Sequence, residues 1–179
     1  MRRLMIAGTV CAALMMGTGA FAQVPPDPAN PNESLPDQFS GTPYGDAISL
    51  ADAKKAAAAA AAEVAKRNWN NGFCIAVVSP TGDLIYFERG DNCQWASVVI
   101  SQNKARTAAR YRRPTLVFER LMGKGAFFNY LPTLGDGVVM SRGGNPIVVN
   151  GKIIGGIGVS GGTGSQDDVI SQAGLAGLK

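Results

Sequence analysis

The chain has 179 residues, 46% of them hydrophobic, and carries 17 basic against 13 acidic side chains with no histidine at all. That length supports one domain with a core of its own, without metal or a dense disulfide framework. The missing histidine excludes a Ser-His-Asp triad, a Cys-His dyad, an HExxH zinc site and a haem held by a proximal histidine, and no paired-carboxylate motif stands out in their place.

At the N-terminus, Arg2-Arg3, the apolar run Leu4 to Met16 and the small-residue site Ala20-Phe21-Ala22 read as a secretory signal peptide over residues 1–22, cleaved before Gln23. The run is shorter than the roughly 20 residues that span a bilayer, and no later run reaches that length, so no membrane span is expected. A periplasmic or secreted protein follows from this reading. Cleavage removes Arg2 and Arg3 and takes the formal charge from +4 to +2, too little to argue for nucleic acid or an anionic membrane as a partner. It also removes Cys11. Cys74 and Cys93 remain, an even pair in a compartment where disulfides persist, so a bridge is the default and a buried Cys74 with a free Cys93 thiol is the alternative.

Residues 23–46 are rich in Pro, Asn, Asp, Ser and Gly and lack hydrophobic periodicity. They read as an irregular N-terminal arm, either a disordered leader or a segment that wraps a neighbouring subunit. The domain proper is expected over residues 47–179. Ser49 with Asp52 opens a helix that runs through the alanine tract to about Trp69, where Asn70-Asn71-Gly72 ends it. Phe73 to Val78 and Leu84 to Glu88 are hairpin strands joined by Ser79-Pro80-Thr81-Gly82. Gln94 to Arg110 has helical spacing, with Trp95, Val98, Val99, Ala105, Ala108 and Ala109 sharing a buried face and Lys104 and Arg106 near its edges.

Pro114 interrupts, and Thr115 caps a shorter helix through Met122, its hydroxyl accepting from the N–H of Glu119 or the residue before it. Ala126 to Leu134, with Phe127, Phe128 and Tyr130, reads as a packed loop, and Gly137 to Ser141 as a short strand. Asn150-Gly151 between two apolar runs predicts a type I′ hairpin joining Ile147–Val149 to Lys152–Val159. A last helix over Gln166 to Ala176 follows the glycine-rich turn. The order helix, two strands, two helices, three strands, helix gives an α+β fold, a five-stranded antiparallel sheet flanked by helices.

Two features could hold an anion. Gly161-Gly162-Thr163-Gly164 could form a nest of backbone N–H groups before the last helix, although the nearby Gly155, Gly156 and Gly158 read as sites of close packing. The basic cluster Lys104, Arg106, Arg110, Arg112 and Arg113 could hold a carboxylate or serve as a solvated or intersubunit surface. Asp167 and Asp168 suit the positive end of the final helix.

The phrases IAVVSPTGDLIYFERGD (Ile75 to Asp91), NKARTA (Asn103 to Ala108), RRPT (Arg112 to Thr115), GGNPI (Gly143 to Ile147) and GKIIGGIGVSGG (Gly151 to Gly162) occur in that order. Together they resemble the GlcG/HbpS haem-binding family from about Leu50 to Leu178. The resemblance implies an antiparallel sheet flanked by helices, homo-oligomers, and in some members binding of haem or a related tetrapyrrole. On that reading Lys104, Arg110, Tyr111, Arg113, Thr115, Gly161, Gly162 and Thr163 are the ligand-binding candidates. In a chain without histidine, Tyr111, Tyr130, Met122 and Met140 are the candidates for haem iron. No catalytic residue is assigned. The alternative is an enzyme, or an accessory to one, acting on a small hydroxy acid or aldehyde.

Overall fold

A computed structural model describes residues 41–69, 72–123, 132–135 and 137–179 of the chain. The signal-peptide segment, most of the N-terminal arm, the aromatic stretch around Phe127 and Phe128, and Tyr130 lie outside the described residues. The elements run α1 (Leu50–Lys66), β1 (Cys74–Val78), β2 (Leu84–Arg89), α2 (Trp95–Arg110), α3 (Thr115–Met122), β3 (Gly144–Val149), β4 (Lys152–Ser160) and α4 (Gly164–Ala176). The fold is α+β, and all strand pairings in the sheet, of order β2-β1-β4-β3, are antiparallel.

The sheet has four strands among the described residues rather than the expected five. Gly137 to Ser141 is apolar enough for a strand, but its backbone is engaged elsewhere. Gly137 holds a left-handed φ of 73°, and the N–H of Val139 donates to the Thr107 hydroxyl on α2 at 3.0 Å instead of to a neighbouring strand. The hairpin reading at Asn150-Gly151 agrees with the structure, both residues having positive φ (50° and 71°) between paired β3 and β4.

β1 is buried along its whole length because helices cover both faces of the sheet. On one face Ile75, Val77, Ile157 and Val159 meet the alanine tract of α1 and Ile170 of α4 in the main core. Alanine favours the helix and also keeps α1 thin enough to pack closely on α4. Gly174 of α4 sits where a Cβ would lie 3.1 Å from the Ala56 carbonyl oxygen.

On the other face α2 lies against β1, β3 and β4. Here the expected burial changes. Ala105, Ala108 and Ala109 are buried, but Trp95 is 82% exposed and Val99 58% exposed, while Lys104 retains only 2% exposure. The helix turns its small residues inward because Gly156 and Gly158 let its backbone approach the sheet so closely that no large side chain fits between them. Trp95 instead lies beneath the Arg89 guanidinium, 4.7 Å from the ring centre.

Three further contacts fix the ends of these layers. Cys74 and Cys93 form a disulfide between β1 and the approach to α2, the bridge that was the default reading; it contributes about 3 kcal/mol under the chain-entropy account. Residues 43–48 run beside the start of β4, with the N–H of Gly45 donating to the Ile153 carbonyl at 2.9 Å and that of Ile153 to the Pro43 carbonyl at 2.8 Å. Tyr44 donates its hydroxyl to the Arg110 carbonyl at 2.7 Å, satisfying one of the free carbonyls at the C-terminus of α2.

Candidate ligand site

Among the described residues, Lys104 and Asp167 form the most buried charged pair. α2 carries Lys104 and the first turn of α4 carries Asp167, and Nζ lies 2.7 Å from Oδ2 with side-chain exposures of 2% and 5%. Burial pushes the Asp167 carboxyl above the ordinary carboxylate range, opposed by Lys104 and by backbone N–H groups of Gly161 and Gly162. Gly143 closes over the pair, since a Cβ there would stand 3.0 Å from the ammonium and 2.6 Å from Cβ of Asp167. Also between α2 and β4, the buried hydroxyls of Ser97 and Ser160 bond to each other at 2.9 Å.

This arrangement decides the fate of the glycine nest. The N–H of Gly162 donates to Asp167 Oδ1 at 3.0 Å. The N–H of Thr163 donates to Gln166 Oε1, and the Thr163 hydroxyl accepts from the Gln166 N–H in a capping box. The anion that this turn holds is the chain's own carboxylate. Asp167 thus does more than complement the helix end: it ties α4 to α2.

The rest of the basic cluster is spread along α2 and past its end. Arg106 donates to the Gly82 carbonyl and to the side chains of Asn103 and Gln102. Arg110 donates from Nε to the Thr81 carbonyl at 2.7 Å, Arg112 lies over the Tyr44 ring, and Arg113 bonds the Tyr111 carbonyl. Burial lowers the pKa of Arg113. Gly161 packs on Gly72 and Phe73, before the start of β1, whereas Thr81 follows its end. β1 itself spans about 13 Å at the usual rise, so the Arg110 to Arg113 region and the nest do not form one site.

Thr115 does not cap α3. Pro114 occupies the N-cap position, and the buried Thr115 hydroxyl faces β3, accepting from the Gly144 N–H at 2.9 Å and donating to the Gly144 carbonyl at 3.3 Å. Tyr111, Met122 and Met140 gather around Val117, Phe118 and Leu121. The Tyr111 ring meets Phe118 edge-on at 5.4 Å, and its hydroxyl donates to the Leu134 carbonyl at 3.2 Å. Arg106, Arg110, Tyr111 and Leu134 border a cleft of about 180 Å³, below the roughly 300 Å³ at which pockets begin to take drug-sized ligands.

A larger groove lies between the edge strand β3 and the C-terminal half of α4. Its volume is about 520 Å³, and Pro114, Pro146, Val148, Val149, Leu175 and Ala176 supply most of its apolar lining. Lys179 adds a cation, and Asn145 and Gln172 add a polar floor. Asn145 is buried and fixed in place: its Nδ2 donates to Ser171 at 2.7 Å and Asp168 at 3.2 Å, and its Oδ1 accepts from Gln172 at 3.1 Å. Apolar walls with a few oriented polar groups are the usual makeup of a small-molecule site. The sequence reasoning missed this groove. Its available signal was the pair of valines at Val148 and Val149, consecutive in a strand and therefore unable both to face the core.

Glu119 and Arg142 brace the approach to β3. Arg142 Nε donates to Glu119 Oε1 at 2.8 Å and its backbone N–H to Oε2 at 2.8 Å. The Arg142 side chain holds the Glu119 carboxyl below its ordinary value. An acid with a depressed folded pKa binds fewer protons folded than unfolded, so its stabilisation is present above the unfolded value of about 4.3 and is lost as pH falls through the folded one. Glu119→Gln is expected to cost about 1 kcal/mol at neutral pH, solvent screening keeping it small. Urea melts at stepped pH should show the wild-type advantage shrinking below about pH 4.3; a constant gap would exclude the ion pair as its source.

Among the described residues, no helix is long and apolar enough to cross a membrane, and no group of three His, Cys, Asp or Glu side chains could hold a metal ion. Comparison with known proteins adds an independent line. The family described as "Haem degrading protein HbpS-like" matches residues 48–176. Protein GlcG of Escherichia coli K12 is 41% identical over 104 residues, covering 58% of this chain and 73% of GlcG. A 15.0 kDa protein from the dhaT-dhaS intergenic region of Citrobacter freundii is 36% identical over 129 residues, covering 72% of this chain and 89% of that one. Among solved structures, HbpS superposes with a TM-score of 0.68 at 29% identity, covering 75% of this chain and 92% of HbpS. A complex of PduOC with heme gives 0.67 at 25% identity, covering 74% and 96%.

Proposed function

The chain belongs to the HbpS-like family, and from that membership we propose that it is an exported, homo-oligomeric protein that binds a small ligand, haem or a related tetrapyrrole. The observation that carries the ligand class is the groove of about 520 Å³ between β3 and α4. Its apolar walls suit the faces of a flat macrocycle, and Lys179 suits a carboxylate. A family described by haem degradation and a structural neighbour solved as a heme complex support the same class. Export rests on the residue 1–22 signal sequence, and the Cys74–Cys93 bridge is in keeping with an oxidising compartment.

Among the described residues, no side chain of the groove favours the enzymatic alternative. Lys104 and Asp167 are the pair best suited to proton transfer, and both are closed off from solvent and committed to each other. Titration of the purified full chain with hemin tests the proposal. A saturable Soret shift is expected, with native mass spectrometry reporting a multimer that carries the ligand. No saturable shift, or a strictly monomeric species, would count against the corresponding half of the reading.

A further inference from the structure

Haem-binding sites commonly hold iron with a side chain, and the described residues of this chain fit that role poorly. Histidine is absent from the sequence. Cys74 and Cys93 are buried and bonded to each other. The Thr115 hydroxyl both accepts from and donates to Gly144. Tyr111 spends its hydroxyl proton on Leu134, and Met122 and Met140 pack on the small cluster around Phe118. None of these side chains lines the groove, where the polar side chains among the described lining residues are those of Asn145, Gln172 and Lys179.

A macrocycle in such a groove is held by burial of its two apolar faces, a contribution proportional to the area removed from water and indifferent to the atom at the centre of the ring. Asn145 cannot turn to serve the iron, because both ends of its amide are bonded to α4. We infer that this groove recognises the tetrapyrrole macrocycle and its carboxylates rather than the metal, so that its ligands are planar tetrapyrroles with or without iron. The inference rests on the tetrapyrrole reading above and narrows it.

Parallel titrations of the full chain with hemin and with iron-free protoporphyrin IX test it, the first followed by absorbance and the second by fluorescence. The two dissociation constants should agree within about threefold. Two groove variants, Val149→Glu on the strand wall and Ala176→Trp on the helix wall, should weaken both ligands together by about tenfold or more. Each sits at an exposed position, and circular dichroism establishes that they fold. Tyr111→Phe, Met140→Leu and Tyr130→Phe, the last at a residue outside the described part of the chain, should leave both affinities and the hemin spectrum unchanged.

Hemin binding more than about tenfold tighter than protoporphyrin, a difference of about 1.4 kcal/mol, would overturn the inference, as would loss of hemin's spectral signature in any of the three conservative variants. So would hemin binding untouched by both groove variants. Failure of both ligands to bind would instead remove the tetrapyrrole reading itself.

Discussion

Lys104→Met is expected to destabilise the folded chain by about 3–5 kcal/mol at neutral pH, the usual cost of leaving one charge of a buried pair without its partner. Asp167 would remain enclosed beneath Gly143, its charge left to the backbone N–H groups of Gly161 and Gly162 and the N-terminal end of α4. For a domain whose whole stability is of the order of 5–15 kcal/mol, this is a large fraction. Asp167→Leu should cost a similar amount by stranding the ammonium. The double variant should recover much of the loss, because two packed apolar side chains need no desolvation of charge.

Acid should relieve the single Lys104→Met variant. Burial already raises the Asp167 carboxyl, and removing the lysine removes the main opposing influence. An acid whose folded pKa exceeds its unfolded value binds more protons folded than unfolded between the two, so stability falls as pH rises through that window. The variant should therefore lose least near the unfolded value of about 3.9 and most above the raised folded one. Urea melts of both single variants and the double variant across that range decide the matter; additive losses, with no recovery in the double, would show that the pair is not coupled.

Local signals carried much of the fold. The Asn150-Gly151 turn, the Ser49 cap and the alanine-rich helix each follow from short-range chemistry, and each stands in the structure close to where periodicity placed it. The errors fall where partners distant in sequence decide. Trp95 and Val99 are hydrophobic at helical spacing, yet the glycines of β4, some 60 positions on, select the alanine face of α2 for burial. Val139 looks like a strand residue until Thr107, 32 positions earlier, claims its N–H.

The site was less legible for the same reason. Spacing puts Lys104 at the edge of the buried face of α2 and in a basic cluster, because its partner, 63 positions away, cannot be identified from spacing. The nest at Gly161 to Thr163 has the backbone chemistry of an anion site, but only the folded chain shows that Asp167 and Gln166 take its N–H groups. The groove between β3 and α4 exists only once the hairpin edge and the last helix are packed together. No local pattern announces a cavity made by two elements.

Gly158→Ala is the sharpest test of how closely α2 sits on the sheet. A Cβ at residue 158 would penetrate the carbonyl oxygen of Ser101 and the amide nitrogen of Ala105, and would stand 3.1 Å from Cα of Ala105. These are backbone atoms of a continuous helix, so no side chain can rotate away to make room. At Gly156 a Cβ would meet the Ala105 carbonyl at 2.5 Å, so the helix cannot escape by sliding along the strand. Gly158 has no left-handed φ, and the whole effect of one methyl group is therefore steric. Overpacking ordinarily costs about 1–3 kcal/mol, and a clash with rigid backbone should reach or exceed the top of that range. Gly151→Ala supplies the contrast. There φ is +71° but nothing lies within 4 Å of the added atom, so only the left-handed conformation is penalised, by about 1–2 kcal/mol. Denaturant melts of the two variants should rank Gly158→Ala as clearly the more damaging, with its near-ultraviolet dichroism altered as α2 is lifted from β4. Equal losses would mean that the helix stands further from the sheet than these contacts require.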